Sequence, residues 1–130
     1  MADWDDVRAL ATALPDTDER ADKQGSRQWR VKNTMFVWER PLRRGDLTAL
    51  GPDAPDGPVL AARVPDVVAK EALLADPSGV YFTTPHFDGY AIVLVDLEHI
   101  ARDELEELIV EAWLDRAPKR VAKAWLDAAE

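Results

Sequence analysis

Apolar positions along the chain recur either every three to four residues or in alternation, and each spacing predicts a different element. Trp4, Val7, Leu10, Ala11 and Leu14 keep helical spacing over residues 3–14, with Asp3 placed to cap the first turn and Pro15 following the end. From Arg27 to Lys32 the pattern alternates instead. Trp29 and Val31 fall on one side and Gln28, Arg30 and Lys32 on the other, as in a half-buried strand with a basic face toward water. Thr34 to Arg40, carrying Phe36, Val37 and Trp38, is a second strand. Asn33 between the two tolerates the left-handed backbone of a tight turn, so the pair predicts a β-hairpin.

Prolines 41, 52, 55 and 58 and glycines 45, 51 and 57 argue against a continuous regular element from Pro41 to Pro58, leaving a long loop with a short turn at Leu47 to Leu50. Val59 to Arg63 then reads as a strand, Asp66 to Ala75 as a helix stopped by Asp76-Pro77, and Val80 to Thr83 as a strand. Tyr90 to Leu97 is almost continuously apolar, which predicts a central strand covered on both faces. Over residues 103–116, Leu105, Leu108, Ile109, Ala112 and Trp113 form one helical stripe, with Asp103 and Glu104 in the electropositive first turn. Pro118 opens a last helix at its first position, with Val121, Ala122, Trp125 and Leu126 as the apolar face. The order predicts one α+β domain over residues 1–130, an antiparallel sheet with helices packed mainly on one face.

Composition narrows the function classes. A chain of 130 residues, 47% apolar and 32% charged, suits a single globular core. Without cysteine there are no disulfides, thiolate nucleophiles or cysteine-ligated metals, which fits a reducing compartment. The start, Met1-Ala2-Asp3-Trp4-Asp5-Asp6, is acidic where a secretion signal is basic and then apolar. No apolar run approaches the roughly 20 residues of a membrane span, so a cytoplasmic protein without membrane association is expected.

Catalytic chemistry finds little support. Ser26, Ser78, His86 and His99 occur without a G-x-S-x-G elbow, and the glycine-rich phosphate loops and H-E-x-x-H are absent. A non-enzymatic protein without cofactor is expected. The most distinctive local segment is Thr83-Thr84-Pro85-His86-Phe87-Asp88-Gly89-Tyr90, in which His86, Phe87 and Tyr90 form a candidate loop for a ligand or partner. It reads more readily as a hairpin connection in which Pro85 and Gly89 set the backbone and Phe87 and Tyr90 pack at the sheet edge. His86 with Asp88 offers two ligands, too few for a metal site.

Charge distribution says more than motifs. A formal net charge of −9 disfavours attraction to phosphate polymers over the molecule as a whole. Residues 20–44, however, hold Arg20, Lys23, Arg27, Arg30, Lys32, Arg40, Arg43 and Arg44 against only Asp22 and Glu39. Arg27, Arg30, Lys32, Arg40, Arg43 and Arg44 are candidate phosphate contacts along the hairpin and its exit. Arg116, Lys119, Arg120 and Lys123 form a second basic group; Lys119 and Arg120 can extend the patch, or the group can pair with Glu104, Glu107 and Glu111.

Several segments in order resemble the MmcQ/YjbR family over nearly the whole chain: Ala13-Leu14-Pro15, Val31-Lys32-Asn33-Thr34-Met35-Phe36, Leu73-Leu74-Ala75-Asp76-Pro77, Thr84 to Tyr90 leading into Val93-Leu94-Val95, and Ala112-Trp113 with Ala117-Pro118-Lys119-Arg120. The resemblance implies a compact fold grouped with the frataxin-like CyaY fold, a double-wing arrangement and a DNA-binding role. Asn33-Thr34 stands where that family often has Gly-Lys, and the stretch from Pro41 to Pro58 is longer than in many members. Two other readings accompany it. One is a protein-interaction adaptor using the His86 loop. The other is a frataxin-like acidic surface, Asp3, Asp5, Asp6, Asp16, Asp18 and Glu19, holding a hard cation such as iron.

Overall fold

The structure is a computed structural model that describes residues 2–129. Five helices, α1 (Trp4–Thr12), α2 (Arg44–Leu50), α3 (Val67–Leu74), α4 (Arg102–Arg116) and α5 (Lys119–Ala129), accompany six strands, β1 (Thr17–Ala21), β2 (Arg27–Val31), β3 (Thr34–Glu39), β4 (Val59–Arg63), β5 (Tyr81–Phe82) and β6 (Ile92–Asp96). The strands form one sheet in the order β1-β2-β3-β4-β6-β5, antiparallel throughout. This is the expected α+β architecture.

Local chemistry explains most of the elements. Asp3 accepts from the Asp6 N–H while Asp6 reaches back to the Asp3 N–H, a reciprocal cap that starts α1. Asp66 caps α3 by accepting from the Ala69 N–H at 2.8 Å. Lys32 (φ 48°) and Asn33 (φ 69°) are both left-handed, and Val31 pairs directly with Thr34, so the hairpin closes through a two-residue turn of the kind that matches strand twist. Pro118 lies one residue before α5 rather than inside it, its carbonyl accepting from Ala122 N–H.

Two elements depart from expectation. Residues 17–21 form β1, an edge strand of Thr-Asp-Glu-Arg-Ala that has no apolar alternation because neither face belongs to the core; its charges protect the sheet edge. The hairpin β2–β3 is therefore flanked on both sides within the sheet, by β1 and β4. In the proline-rich stretch, α2 is a true helix, because Pro41 and Gly51-Pro52 bound it without interrupting it, and Asp46 in its first turn accepts from the Arg43 N–H at 2.9 Å.

A bulge sets how the hairpin meets the core. Trp29 faces Val37 and Arg30 faces Met35, leaving Phe36 as the extra residue. Phe36 and Val37 consequently both enter the cluster on the helix side, and both are fully buried. That cluster joins Val7, Leu10 and Leu14 of α1 and its C-terminal turn, Leu105, Ile109 and Trp113 of α4, and the partly buried Leu73, Leu74, Val121 and Trp125 of α3 and α5. The Trp113 indole donates to the Pro15 carbonyl at 3.1 Å, and its ring meets Trp125 edge-on at 5.5 Å.

The opposite face of the sheet has its own smaller cluster: Trp38, Val59, Ala61, Phe87, Ile92 and Leu94, with Met35, Leu42 and Phe82 packed against it. Alternation in β4 and β6 sends Leu60, Ala62, Val93 and Val95 to the helix side and Val59, Ala61, Ile92 and Leu94 to this one, so both faces of both strands are covered. Tyr90, expected to begin β6, lies in the preceding turn and is exposed.

Two buried charges fasten this second cover. Arg40 lies over the Phe87 ring at 5.2 Å and pairs with Asp46 at 3.2 Å, with both side chains under one-tenth exposed. Lys70 reaches from α3 to donate to the carbonyls of Phe87 (2.7 Å) and Tyr90 (3.0 Å). Burial lowers the Lys70 ammonium's affinity for its proton, a shift the charge of Asp88 opposes. No helix among the described residues is long and apolar enough to cross a membrane.

Burial pushes the Asp46 carboxyl up, but the Arg43 N–H and the charge of Arg40 outweigh it and hold the group below its ordinary value. A lowered carboxyl stabilises the fold fully above its unfolded value of about 4 and ceases to do so as pH falls through the folded value. Asp46→Asn is therefore expected to cost about 3 kcal/mol at pH 7 by urea unfolding, because Arg40 is left buried without its counter-charge. The difference from the parent should shrink below about pH 4 and close in stronger acid. Phe87→Ala, which opens the second cover, is expected to cost about 3 kcal/mol at every pH tested.

Candidate functional site

The six basic residues expected on one hairpin surface are distributed by the fold. Arg27 shares a side with Trp29, and its guanidinium lies 5.8 Å from the Trp4 ring centre on the helix side. Arg30 is on the opposite, more open face, where it donates to Gln28 Oε1 at 2.9 Å and its buried Nε has no partner. Lys32 stands exposed at the hairpin tip, 3.7 Å from Asp16. Arg40 is buried in its ion pair and stacked on Phe87, so it is not available to a phosphate; this corrects its place among the contacts. Arg43 and Arg44 are exposed at the start of α2.

The second basic group also takes its own place. Lys119 and Arg120 are exposed in the first turn of α5. Arg116 pairs with its neighbour Asp115 at 3.0 Å and Lys123 with Asp127 at 2.8 Å. Among the described residues none of the four pairs with Glu104, Glu107 or Glu111, so the expected neutralisation of α4 does not occur.

The structure brings together two segments that the sequence keeps far apart. A concavity of about 740 Å³ on the open sheet face is lined by Gln28, Met35, Trp38, Arg40, Arg43, His86 and Phe87, with Asp22, Gln24, Ser26, Glu39 and Pro41 completing it. A smaller one of about 310 Å³ is lined by Arg40, Arg43, Gly45, Asp46, Pro85 and His86. His86 is exposed on their common rim, edge-on to Phe87 at 4.8 Å between ring centres. Phe87 itself is 5% exposed, so of the three aromatic loop candidates it serves the interior, while Tyr90 is 60% exposed and lines neither concavity.

Alongside Arg30, Arg63 occupies the same sheet face, its guanidinium 5.6 Å from the Trp38 ring centre. Burial first, and then the charge of Arg116, weaken its hold on its proton, with Asp115 opposing. Sequence reasoning missed Arg63, Lys70 and Trp38 as contributors to this face. Lys70 carried a signal, since it interrupts the apolar stripe of Ala69, Leu73 and Leu74 and a lysine on a buried stripe needs acceptors.

The acidic surface has other work. Asp3 and Asp6 cap α1, Asp6 also pairs with Arg102 at 3.2 Å, and Asp18 pairs with Arg20 at 2.8 Å. Arg8 grips Glu19 with two bonds of 2.8 and 3.0 Å, and the Trp29 indole donates to the same carboxylate at 2.9 Å. The Arg8 bonds hold Glu19 below the ordinary carboxylate range, against the opposing effect of burial. Among the described residues no group of three or more His, Asp or Glu side chains is placed to hold a metal ion, so the acidic residues of this surface are not gathered into one centre.

Known proteins agree with the architecture. The YjbR family model matches residues 12–115. The chain is 50% identical over 129 residues to the uncharacterised protein Mb2600 of Mycobacterium bovis and equally to the uncharacterised protein Rv2570 of Mycobacterium tuberculosis, covering 97% of each chain in both cases. The crystal structure of Deinococcus radiodurans protein DR2400, a domain of type DUF419, superposes with a TM-score of 0.66 at 21% identity, over 88% of this chain and 78% of that one. Matched span, half-identical relatives and shared fold place the chain in one group: it belongs to the YjbR family.

Proposed function

We propose that this protein is a non-enzymatic nucleic-acid-binding module that holds the phosphate backbone of DNA across the open face of its sheet. Arg43 and Arg44 are the main contacts, His86 lines the concavity beside Arg43, Arg30 is on the same sheet face, and Lys32 reaches out from the hairpin tip. Lys119 and Arg120 lie beyond this face and extend the surface only for a long duplex.

The separation of charge between the two layers supports this reading. The exposed carboxylates Glu106, Glu107 and Glu111 lie on the outer side of α4, whose inner side packs on the sheet. A helix is about 10 Å across, more than the Debye length of about 8 Å at physiological salt, so those charges are largely screened from a polymer on the open face. A chain of net charge −9 thus keeps Arg30, Arg43 and Arg63 on the side of the sheet away from α4, where Asp22 and Glu39 also line the concavity. Contacts of this type position a duplex and do not read its sequence.

Labelled duplex and single-stranded DNA, titrated by fluorescence anisotropy at low and moderate salt, test the proposal. Binding is expected to weaken steeply as salt rises, because each neutralised phosphate releases counterions. Arg43→Glu with Arg44→Glu should abolish it, and Lys32→Glu alone should reduce the salt slope by about 0.9, the share of one phosphate contact. Absence of binding at the lowest salt, or binding unchanged in the double variant, would overturn it.

A further inference from the structure

A further unexplained surface is on the helix side. A furrow of about 460 Å³ runs between α3 and α4, with Val64, Ala69, Ala72, Leu73 and Leu108 among the apolar residues lining it. Four acidic residues line it as well: Asp76, Glu104, Glu107 and Glu111. Among the described residues none of the four pairs with a basic side chain. The apolar strip continues onto the outer side of α3, where Val67 is 42% and Val68 is 74% exposed, and Val68 lies one turn from Ala72. Helices in water do not ordinarily turn two adjacent valines outward.

Across α4 a second furrow, about 570 Å³, is lined by Leu10, Leu14, Val110 and Trp125, and it shares Glu107 and Glu111 with the first. One ridge of carboxylates therefore divides two apolar channels. At the edge of the first furrow the Tyr81 hydroxyl donates to Glu104 at 2.5 Å, and burial first, then that bond and the nearby charges of Glu104, Asp76 and Glu107, push its ionisation upward.

We infer that the α3–α4 furrow docks a basic amphipathic helix of a partner protein, its apolar stripe on Ala69, Ala72 and Leu73 and its lysines or arginines on Glu107, Glu111 and Asp76. An open channel between two helices admits a helix laid along it, in which side chains spaced by three and four residues fill successive hollows. The uncompensated carboxylates select the sign of the flanking charge. This surface lies apart from the phosphate-binding face, so either proposal stands if the other fails.

The probe is an 18-residue peptide of leucine and lysine patterned as an amphipathic helix, with a scrambled peptide of identical composition as the control for net charge. Binding is read by anisotropy, and its location by amide chemical shifts of the full-length protein. The patterned peptide should bind at least tenfold more tightly than the scrambled one and shift residues of α3 and α4. Glu107→Lys with Glu111→Lys should weaken it at least tenfold.

Ala72→Glu is the decisive variant. It adds negative charge while filling the channel, so docking in the furrow predicts weaker binding, and attraction by charge alone predicts stronger binding. Equal affinity for the scrambled peptide, tighter binding by Ala72→Glu, or shifts confined to other surfaces would overturn the inference. If spermidine competes as well as the patterned peptide, the furrow is a site for small polyamines and the helix proposal fails. All three positions are solvent-exposed, and thermal melts of the variants establish that the fold is intact.

Discussion

Two strands without a polar face govern this molecule. β4 and β6 bury Val59 to Ala62 and Ile92 to Val95 in succession, so the sheet needs cover on both sides although its helices are mainly on one. A second layer of helices would need a longer chain. The short segments 41–50 and 84–90 close the other face instead, with Leu42 and Phe87 as apolar contacts and two buried charges as fasteners. Arg40 is conscripted by that arrangement: the residue at the end of β3 that looks most available to a ligand is the one the fold needs to hold its cover.

The same economy shapes the surface. Because the cover is small, part of the sheet face stays open, and what borders the opening is whatever the covering segments carry on their outer sides: Arg43 and His86. On the helix side, α4 spends Leu105, Leu108, Ile109, Ala112 and Trp113 on the core and is left with an outer face of glutamates. α5 does not neutralise them, since Lys123 turns to Asp127 on its own helix. The outer face of α4 is thus acidic while Arg43 borders the open sheet face, and a single small domain presents two surfaces of different chemistry.

Most of the architecture was legible in the residues. Periodicity located α1, α3, α4, α5 and strands β2, β3, β4 and β6, since each has one or two faces in the core and hydrophobicity records it. β1 was illegible for a physical reason: an edge strand whose side chains are all at least partly exposed leaves no apolar period to read. α2 was hidden because proline and glycine mark boundaries as well as breaks, and only position tells which. The candidate site was half legible. Arg43, Arg44 and His86 were visible as residue types, but the burial of Arg40 depends on Asp46 and Phe87, and the turn of Arg27 toward Trp4 depends on a neighbouring helix; no local pattern encodes either contact.

Lys70 ties the two layers into one mechanical unit. Its backbone belongs to α3, one wall of the helix-side furrow, while its ammonium ends on the carbonyls of the loop that frames the open sheet face. Two short bonds to a buried cation tolerate little displacement, because a slide of even an ångström or two leaves a charge without acceptors in an apolar setting. The helix that walls one surface and the loop that frames the other are thus joined by a single side chain, and one too short to reach, or one without charge, would part them.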